Sequence, residues 1–547
     1  MATITSTASG NFSAGATWVG GVAPGANDDA VAATGHTIVI DTDVTVISFQ
    51  QAGTGKFTLG NGRSVTGNVI ANAGTFTSGG TVDVICGAGE SATITGNVTG
   101  ASTTANNTAG IVVSGVGTLT LNGTVTGSAG AGSSEANGSA GVYTNVSCTI
   151  TINGAVAGGT GSHKRGVQAG SSSNAAITIN GNVDGGNGSN AYGVWHAGAS
   201  GTITATATTI QGASGTNTIG IYHTGASGTI TATATTIQGA SGTNSYGIYH
   251  IGASGIITAT ATTIQGGASA AAIGIYHAGA SGTITATAMT IQGGTNAIGI
   301  YHDGAFGTIT ATATTIQGGN VSAIRHDGAS GTITATATTI QGGGSSNAFG
   351  LDHVGASGTI NATATTIQGG GGGTAHGIRH LGASGNVVSS GEVKANGTAS
   401  NGIESSATSS ANGVFHTGSI TDSTAGRVAI RALFLRVASG TGTTTHATPG
   451  SPTGSANQRF SADQILGVPA VGNVRSGTTY GNPATLTGTL AVPAANQVAV
   501  GVAVDNTVGT AVLTESTLRA AVGLASANLD TQLGDIKKTT GLIPGLL

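Results

Sequence analysis

The fold is decided by the stretch GIYHTGASGTITATATTIQGASGTNS, residues 220–245, because near-copies of it follow one another between residues 192 and 380. The copies repeat about every 27 residues. From the histidine of each copy to its glutamine the spacing is always 15, whereas from the glutamine to the next histidine it varies between 9 and 12. All length changes therefore fall in one Gly/Ser/Asn-rich loop, as expected for a packed coil with a single solvent-facing loop.

The segment TITATATTI within each copy alternates residue by residue, which is typical of a β-strand, and is built from Thr, Ile and Ala. We expect Ile230, Ala232 and Ala234 to point inward, with the threonines between them pointing outward. The doubled Thr235-Thr236 predicts a corner between two strands, and Gly-Ile-Tyr-His forms a third. The sequence therefore predicts an all-β protein, a parallel β-helix (β-solenoid) of ~27-residue three-strand coils. Roughly fourteen coils would give a rod on the order of 70 Å.

Composition and pattern divide the chain into five segments. They are an N-terminal cap (1–45), an irregular β-solenoid (46–165), the regular repeats (166–426), an end cap with a linker (427–458) and a C-terminal strand-plus-helix module (459–547). The helix of the last module carries an apolar stripe, and a helix this short gains stability from association. We expect it to oligomerise through Leu518, Val522, Leu529 and Ile536.

The composition argues against several classes of partner. Only 6% of the residues are charged, the formal net charge is −4, and no Lys or Arg lies between Arg165 and Arg325, so we expect no nucleic-acid partner. Cys86 and Cys148 lack the spacing of a disulfide framework or a metal site, and no cofactor is expected. No apolar run approaches the ~18 residues of a membrane span. The start MATITSTASGNFSAG lacks the features of a secretory signal, so we expect release by lysis or a signal-less route.

Stacked coils place equivalent residues above one another, so each position of the repeat forms a ladder. The histidine ladder consists of His196, His223, His250, His277, His302, His326, His353 and His380, and the glutamine ladder of Gln211, Gln238, Gln265, Gln292, Gln317, Gln341 and Gln368. Imidazoles one coil apart are too widely spaced to share one zinc ion through two bonds of about 2.1 Å, so no metal is expected. We expect stacked rings, each hydrogen-bonded to the backbone or to its neighbour. Their pKa values should lie below the ordinary value, which destabilises the fold as pH falls.

The position before each histidine forms a ladder that changes character along the chain. It begins with Trp195, Tyr222, Tyr249, Tyr276 and Tyr301 and continues as Arg325, Asp352, Arg379 and Glu404. Because unpaired charges are rarely buried, we expect this position to face solvent, with opposite charges attracting across adjacent strands. The aromatic part permits two interpretations: ring stacking that stabilises the solenoid, or a flat strip that binds sugar rings.

Two further features carry alternative hypotheses. Asp303 and Asp327 should lie one coil apart, and retaining glycosidases need two carboxyls about 5 Å apart. The flanking loops predict no cleft, however, and solvated acids beside Arg325 are the favoured interpretation of the pair. The outward Thr-x-Thr rows resemble those of insect-type ice-binding proteins, although such a face could also pack against a partner chain.

Two terminal segments resemble known phage and bacterial proteins. The opening GATWVGGVAPGANDDAVAATGHTIVID (15–41) is similar to segments that precede β-helices in phage and bacterial surface proteins. The stretch 473–536, with VRSGTTYG, GTLAVPAANQVAVGVAVDNTVGTAVL and ASANLDTQLGDIK, resembles C-terminal regions of tailed-phage structural proteins.

This resemblance implies a structural virion appendage, such as a tail fibre or tailspike shaft, located in the virion and attached to the host surface or to the particle. Its expected partners are other virion proteins, further copies of itself (a trimer is favoured) and, as a further candidate, host-surface polysaccharide. The resemblance supplies no catalytic residue. A tailspike that binds or cleaves polysaccharide and a bacterial surface adhesin remain as alternatives.

Overall fold

The computed structural model describes the chain at residues 2–70, 80–100, 108–127, 139–269, 271–372, 374–394 and 401–406, and in short strands between 413 and 508. Within these residues the protein is all-β, and its one helical element is a 3-10 turn at Gly15–Thr17. Parallel strands stack about 27 residues apart and form a β-solenoid of about 14 turns. The predicted fold class is confirmed.

Each regular coil contains a short strand, a tight turn, a long strand and a loop. The short strands are Tyr192–His196, Ile219–His223, Tyr246–Ile251, Ile273–Ala278, Ile300–Asp303, Ile324–Asp327, Leu351–Val354 and Ile378–His380. The long strands are Thr202–Gln211, Thr229–Gln238, Ile256–Gln265, Thr283–Gln292, Thr308–Gln317, Thr332–Gln341 and Thr359–Gln368. Short strands belong to a 13-stranded sheet and long strands to a 23-stranded sheet.

Coil-to-coil pairing places identical residues side by side. Thr231 pairs with Thr258 and Gln238 with Gln265 in one sheet, and Tyr222 pairs with Tyr249 in the other. Loops of unequal length leave this alignment unchanged, because the extra residues lie outside the paired strands. Identical side chains therefore form continuous ladders.

The predicted corner takes two forms along the solenoid. Upstream, Ala176–Asn180 and Val183–Asp184 are separate strands, and both pair with the single strand Thr202–Gln211. In the regular coils the corner persists only as one skipped residue, Thr235, between paired Ala234 and paired Thr236. Coils with three strands thus become coils with two, because the doubled threonine bends the chain without ending its strand.

The remaining strands continue the winding in both directions. Upstream they are Thr3–Thr5, Gly10–Asn11, Asp29–Ala32, Thr37–Ile40, Val44–Gln51, Lys56–Leu59, Ser64–Ile70, Val82–Val84, Ser91–Thr95, Val98–Thr99, Ala109–Val113, Thr118–Asn122, Val125–Thr126, Ser139–Thr144, Thr149–Ile152, Val156–Ala157 and Lys164–Ala169. Downstream they are Asn386–Lys394, Ile403–Ser405, Gly413–Thr417, Ile420–Thr421, Ile430–Ala432 and Leu435–Val437.

The core is a narrow column of isoleucine and alanine. Ile230, Ile237 and Ile248 are completely buried, and Ala232 and Ala234 also point inward, as expected. Complete burial of an isoleucine side chain stabilises the folded state by about 1.5–3 kcal/mol. Because every coil supplies the same few side chains, stability grows coil by coil and depends on each interface between neighbours.

Larger aromatic residues fill the core near the N-terminus. Trp18 is buried, its indole Nε1 donates to the Phe12 carbonyl at 2.7 Å, and its ring lies 5.0 Å from that of Phe12 and 6.4 Å from that of Phe57. The first strand, Thr3–Thr5, already pairs in parallel with Asp29–Ala32. The segment expected to be a cap therefore also contributes strands to the solenoid.

The chain divides into two compact units, residues 1–459 and 460–547. The described part of the second unit consists of two antiparallel strand pairs, Thr479–Tyr480 with Leu486–Thr487 and Ala503–Val504 with Thr507–Val508. The expected oligomerisation residues Leu518, Val522, Leu529 and Ile536 lie outside the described residues. None of the described helical segments has the length and hydropathy needed to span a bilayer.

Candidate functional site

The histidine ladder is a column of parallel rings along the turn that follows the short strands. All eight imidazoles, from His196 to His380, are fully buried. Adjacent ring centroids lie 4.8–5.0 Å apart, and the ring planes differ by 3–12°. These distances equal the strand spacing of a β-sheet, so each coil contributes one ring at the height of its own strand.

Glycine encloses the ladder, and this explains the H-x-G-x-x-G pattern of the turn. A Cβ added at Gly228 would lie 2.1 Å from Cε1 of His223, and one added at Gly225 would lie 1.9 Å from the carbonyl oxygen of Gly198. Neither position can hold a side chain without displacing an imidazole or backbone. The H-x-G-x-x-G pattern is visible in the sequence, but strand alternation and repeat spacing alone do not reveal that its glycines enclose the rings.

The hydrogen bonding of the ladder differs from the expectation. His196 accepts a bond at Nδ1 from the Gly198 amide and contacts the Ala175 carbonyl at 3.2 Å through Nε2. In the interior of the ladder, however, both ring nitrogens of several members have no hydrogen-bond partner beyond their own backbone. These members are His250, His277, His326 and His353. The expected hydrogen bond to the backbone is made to the residue's own backbone at His277, His326 and His353. It is missing at His250, where the glycine-lined turn fits the ring closely and brings few polar groups to it.

Burial makes the ladder resistant to protonation. Desolvation lowers the pKa of His250 to about 3, with repulsion from His277 adding to the effect. It lowers the pKa of His223 to about 2, and the neighbouring imidazoles on both sides contribute. The ladder is therefore neutral at physiological pH and acts as packing rather than as a source of charge.

The aromatic ladder lies on the outer face of the short strands. Ring centroids are 5.2 Å apart for Tyr222 and Tyr249, 4.6 Å for Tyr249 and Tyr276, and 4.9 Å for Tyr276 and Tyr301, with planes within 15° of parallel. The two inner rings, those of Tyr249 and Tyr276, therefore have a neighbouring ring against each face, and only their edges point away from the ladder. This arrangement favours stacking that stabilises the solenoid, because a sugar would need a free ring face. Binding of glycan by these rings stays a prediction.

The expectation that this position faces solvent is wrong for Tyr222, which is only 8% exposed. It packs in a small apolar cluster with Tyr192 and Ile219, and Tyr246 and Trp195 lie against this cluster. Tyr192, Ile219 and Tyr246 occupy a second position of the repeat that we overlooked. Its signal was an apolar residue recurring every 27 positions on the outer face.

Arginine residues close both ends of the aromatic ladder. The guanidinium of Arg165 lies 3.9 Å from the ring centroid of Trp195, and that of Arg325 lies 5.8 Å from that of Tyr301. A cation over a ring face contributes about 0.5–2 kcal/mol, the larger value when desolvated. The exposed faces of the terminal rings are therefore covered as well.

The two candidate acids pair in register on adjacent coils. Asp327 accepts a hydrogen bond from the Tyr301 hydroxyl at 2.8 Å and forms an ion pair with Arg325 at 2.7 Å. Asp303 is exposed and lies 3.4 Å from the Tyr276 hydroxyl. These contacts place Asp327 in a surface network of ion pairs and hydrogen bonds, while a catalytic role for Asp303 and Asp327 stays a prediction.

Opposite charges of the charge ladder pair between neighbouring coils, as their alternating signs indicate. One member of the ladder, however, is buried rather than exposed to solvent. Arg379 donates from Nε and Nη2 to the two carboxylate oxygens of Asp352, both at 2.8 Å, and Arg325 lies 3.9 Å from the same carboxylate. Asp352 is completely buried. Its expected exposure was wrong because two arginines cover it from the coils above and below, and a bidentate pair compensates desolvation.

Glu404 has a partner that the repeat did not predict. His376 contacts its carboxylate through Nε2 at 2.5 Å and accepts a bond at Nδ1 from the Asn401 amide at 2.8 Å. The His376 ring stacks on Phe349, and the guanidinium carbon of Arg379 lies 3.7 Å from the centroid of the Phe349 ring. His376 occupies the same position of the repeat as Tyr192, Ile219 and Tyr246, four residues before the ladder histidine, and the sequence analysis did not single this position out.

Amide ladders run along both sides of the loop. Gln238 donates from Nε2 to Oε1 of Gln211 at 2.9 Å, and Gln265 donates to Gln238 at 2.7 Å. Across the loop, Asn244 donates to Asn217 at 3.0 Å, and both adopt a left-handed backbone with φ near +53°. Asparagine tolerates that conformation better than most residues. The sequence predicted the glutamine ladder, whereas the asparagine ladder was hidden in a loop of variable length.

The threonine face is continuous but has few charges to orient a ligand. Thr206, Thr233 and Thr260 are exposed and pair in register across consecutive coils. No cluster of three or more metal-ligating side chains occurs among the residues that the structure describes. Comparison with known proteins found no matching family model, curated protein or solved structure.

Proposed function

We propose that this chain is a non-enzymatic shaft of a tailed-phage virion appendage. The solenoid provides length and stiffness, and residues 459–547 attach the shaft to the host surface or to the particle, or form the oligomer. The observation that carries the proposal is the in-register pairing of identical residues through coil after coil of the regular array.

The side chains most often associated with function are used for contacts between coils. Imidazole faces meet imidazole faces, tyrosine faces meet tyrosine faces, and glutamine amides bond to glutamine amides. Every such contact joins one coil to the next, so bending the rod would disrupt several ladders at once. A stiff spacer needs this arrangement, whereas a catalytic site needs side chains free to contact a substrate.

The assignment to a virion rests on the resemblance of residues 473–536 to tailed-phage structural proteins. Trimerisation and contact with other virion proteins are part of the same proposal. An adhesin on a bacterial surface would use the same solenoid. The location of the protein, on the virion or on the bacterial surface, therefore distinguishes the two functions.

Three measurements test the proposal. Negative-stain electron microscopy of the full chain should show straight rods, and light scattering after size exclusion should give a trimer that Leu518→Asp with Leu529→Asp converts to monomer. Gold-labelled antibody against the chain should decorate appendages of purified virions. Flexible particles, or label confined to the cell envelope, would reject the virion shaft.

A further inference from the structure

A shallow groove of about 600 Å³ follows the glutamine ladder across four consecutive coils. Its floor includes Gln238, Gln265 and Gln292, and its wall is formed by the loop residues that follow each glutamine, ending at Asn320. It lies at the loop edge of the coil and is lined by none of the aromatic-ladder residues.

The groove coincides with a change in loop length. In the coil of Gln265 the Gly267 amide donates to the Ala272 carbonyl and closes a long loop, whereas in the next coil the Gly294 amide donates to Ala297 and closes a shorter one. The spacing from Gln292 to the next histidine falls to 10, and from Gln317 it falls to 9. The loops that form one end of the groove are therefore shorter than those on either side along the chain.

The floor presents hydrogen-bonding groups at regular intervals. Gln238 gives one N–H to Gln211 in the preceding coil and accepts one from Gln265 in the following coil. A primary amide has two N–H donors and two acceptor lone pairs, so one of each remains for a ligand. The side chains are half-buried, and this limits the entropy that binding would cost.

The groove lining contains no charged residue; it consists of Gln, Gly, Ala, Ser, Thr and Asn. Anionic polymers would find no cation to pair with, and an apolar ligand would leave the amides unsatisfied. Sugar hydroxyls both donate and accept, which matches an amide that offers one donor and one acceptor per coil.

We propose that this groove binds a neutral polysaccharide, extended along the shaft axis, through the free donor and acceptor of successive glutamine amides. The inference does not depend on the shaft function: a chain that binds polysaccharide but forms no rods would keep this proposal and remove the other.

The test is affinity electrophoresis and calorimetry of the full chain with neutral polysaccharides (dextran, laminarin and galactomannan) and acidic ones (alginate and hyaluronate). At least one neutral polymer should bind, with an affinity that changes less than twofold between 50 and 500 mM NaCl, since no ion pair is formed. Binding by none of the neutral polymers, or by acidic polymers alone, would overturn the proposal.

Matched variants locate the site. Thr295→Trp fills the groove from an exposed position and should weaken binding at least tenfold, whereas Thr243→Trp, exposed on a neighbouring loop but outside the groove, should not. Gln265→Leu should also weaken binding, while Gln341→Leu removes a ladder amide outside the groove and serves as the control for stability. Equal binding by both members of either pair would place the ligand elsewhere.

Discussion

Ala271 occupies a backbone conformation that its equivalents fill with asparagine. Its φ is +60°, and Asn190, Asn217 and Asn244 at the same position of earlier coils have φ of +53° to +54°. An alanine side chain crowds the backbone in the left-handed region, whereas asparagine tolerates it. Asparagine at this position would also extend the amide ladder that ends at Asn244.

We therefore expect Ala271→Asn to stabilise the solenoid by about 0.5–1 kcal/mol. The midpoint of thermal unfolding, followed by circular dichroism, should rise. Asn217→Ala is the reciprocal change and should lower it. An unchanged or lower midpoint for Ala271→Asn would show that the loop relaxes around alanine without strain.

Glycines in the histidine turn and in the variable loop differ sharply in the space around them. A Cβ at Gly228 would overlap the imidazole of His223, whereas one at Gly344 would meet no atom within 4 Å. We expect Gly228→Ala to destabilise the fold by about 1–3 kcal/mol, the usual cost of overpacking a filled site. Gly344→Ala should be neutral or slightly stabilising. Equal melting curves for the two variants would contradict the close fit of glycine against the rings.

At the scale of the element, the histidine ladder makes stability depend on pH. Burial depresses the folded-state pKa to about 3 for His250 and His302 and about 4 for His277, below the unfolded value near 6.5. Between those values the unfolded chain binds more protons than the folded one, so stability falls as pH falls. Each such histidine changes the free energy of unfolding by about 1.4 kcal/mol per pH unit within that window.

We expect the unfolding midpoint to drop steeply between pH 6.5 and 5, a range in which most carboxylates stay ionised. His277→Gln removes one titrating ring. It should reduce the pH dependence of the free energy of unfolding by about 1.4 kcal/mol per pH unit. The protein at pH 8 is the reference, since the ladder is neutral there in both states. A midpoint that does not change from pH 8 to 5 would mean that the rings are protonated in the folded state.

The buried ion pair between Asp352 and Arg379 gives a second prediction for an element. Arg379→Met leaves the completely buried carboxylate with the Ser322 hydroxyl at 3.3 Å and the more distant Arg325. We expect the free energy of unfolding to fall by about 3 kcal/mol. Asp352→Leu with Arg379→Met removes both charges and should recover most of that loss. If the double variant is no more stable than the single one, packing of Arg379 on Phe349 is the larger contribution.

Features shared by every copy of the repeat were predictable from the sequence, whereas those set by residues that differ between copies were not. Ile230 and Ala232 face inward because strict alternation leaves them no other position, and His223 stacks on His250 because the spacing allows no slip. The burial of Asp352 could not be predicted, since it depends on two long side chains from neighbouring coils. The partner of Glu404 was not predicted either, because His376 stands at a position of the repeat where earlier copies hold Tyr246 or Ile219.

For the molecule as a whole, the repeat implies that coils are interchangeable modules. The ladders meet the same partners at every interface, so removing whole coils should join equivalent surfaces. Deletion of residues 239–292 removes two coils and connects Gln238 to Gly293, so that Gly293 takes the place of Gly239 after the glutamine. Each ladder then continues through the junction with two rungs fewer.

We expect this deletion to fold cooperatively and to shorten the rod by about 10 Å, two strand spacings. Averaged electron micrographs measure the length, and circular dichroism measures the β-structure. Deletion of residues 239–252 is the matched control. It removes about half a coil and joins Gln238 to Ala253, which places a turn where a loop and a short strand belong, so the coils beyond it cannot pair with those before it. That variant should aggregate or melt at a much lower temperature. If both deletions fold equally well, identical residues need not stack from coil to coil, and the ladders are a consequence of the fold rather than its cause.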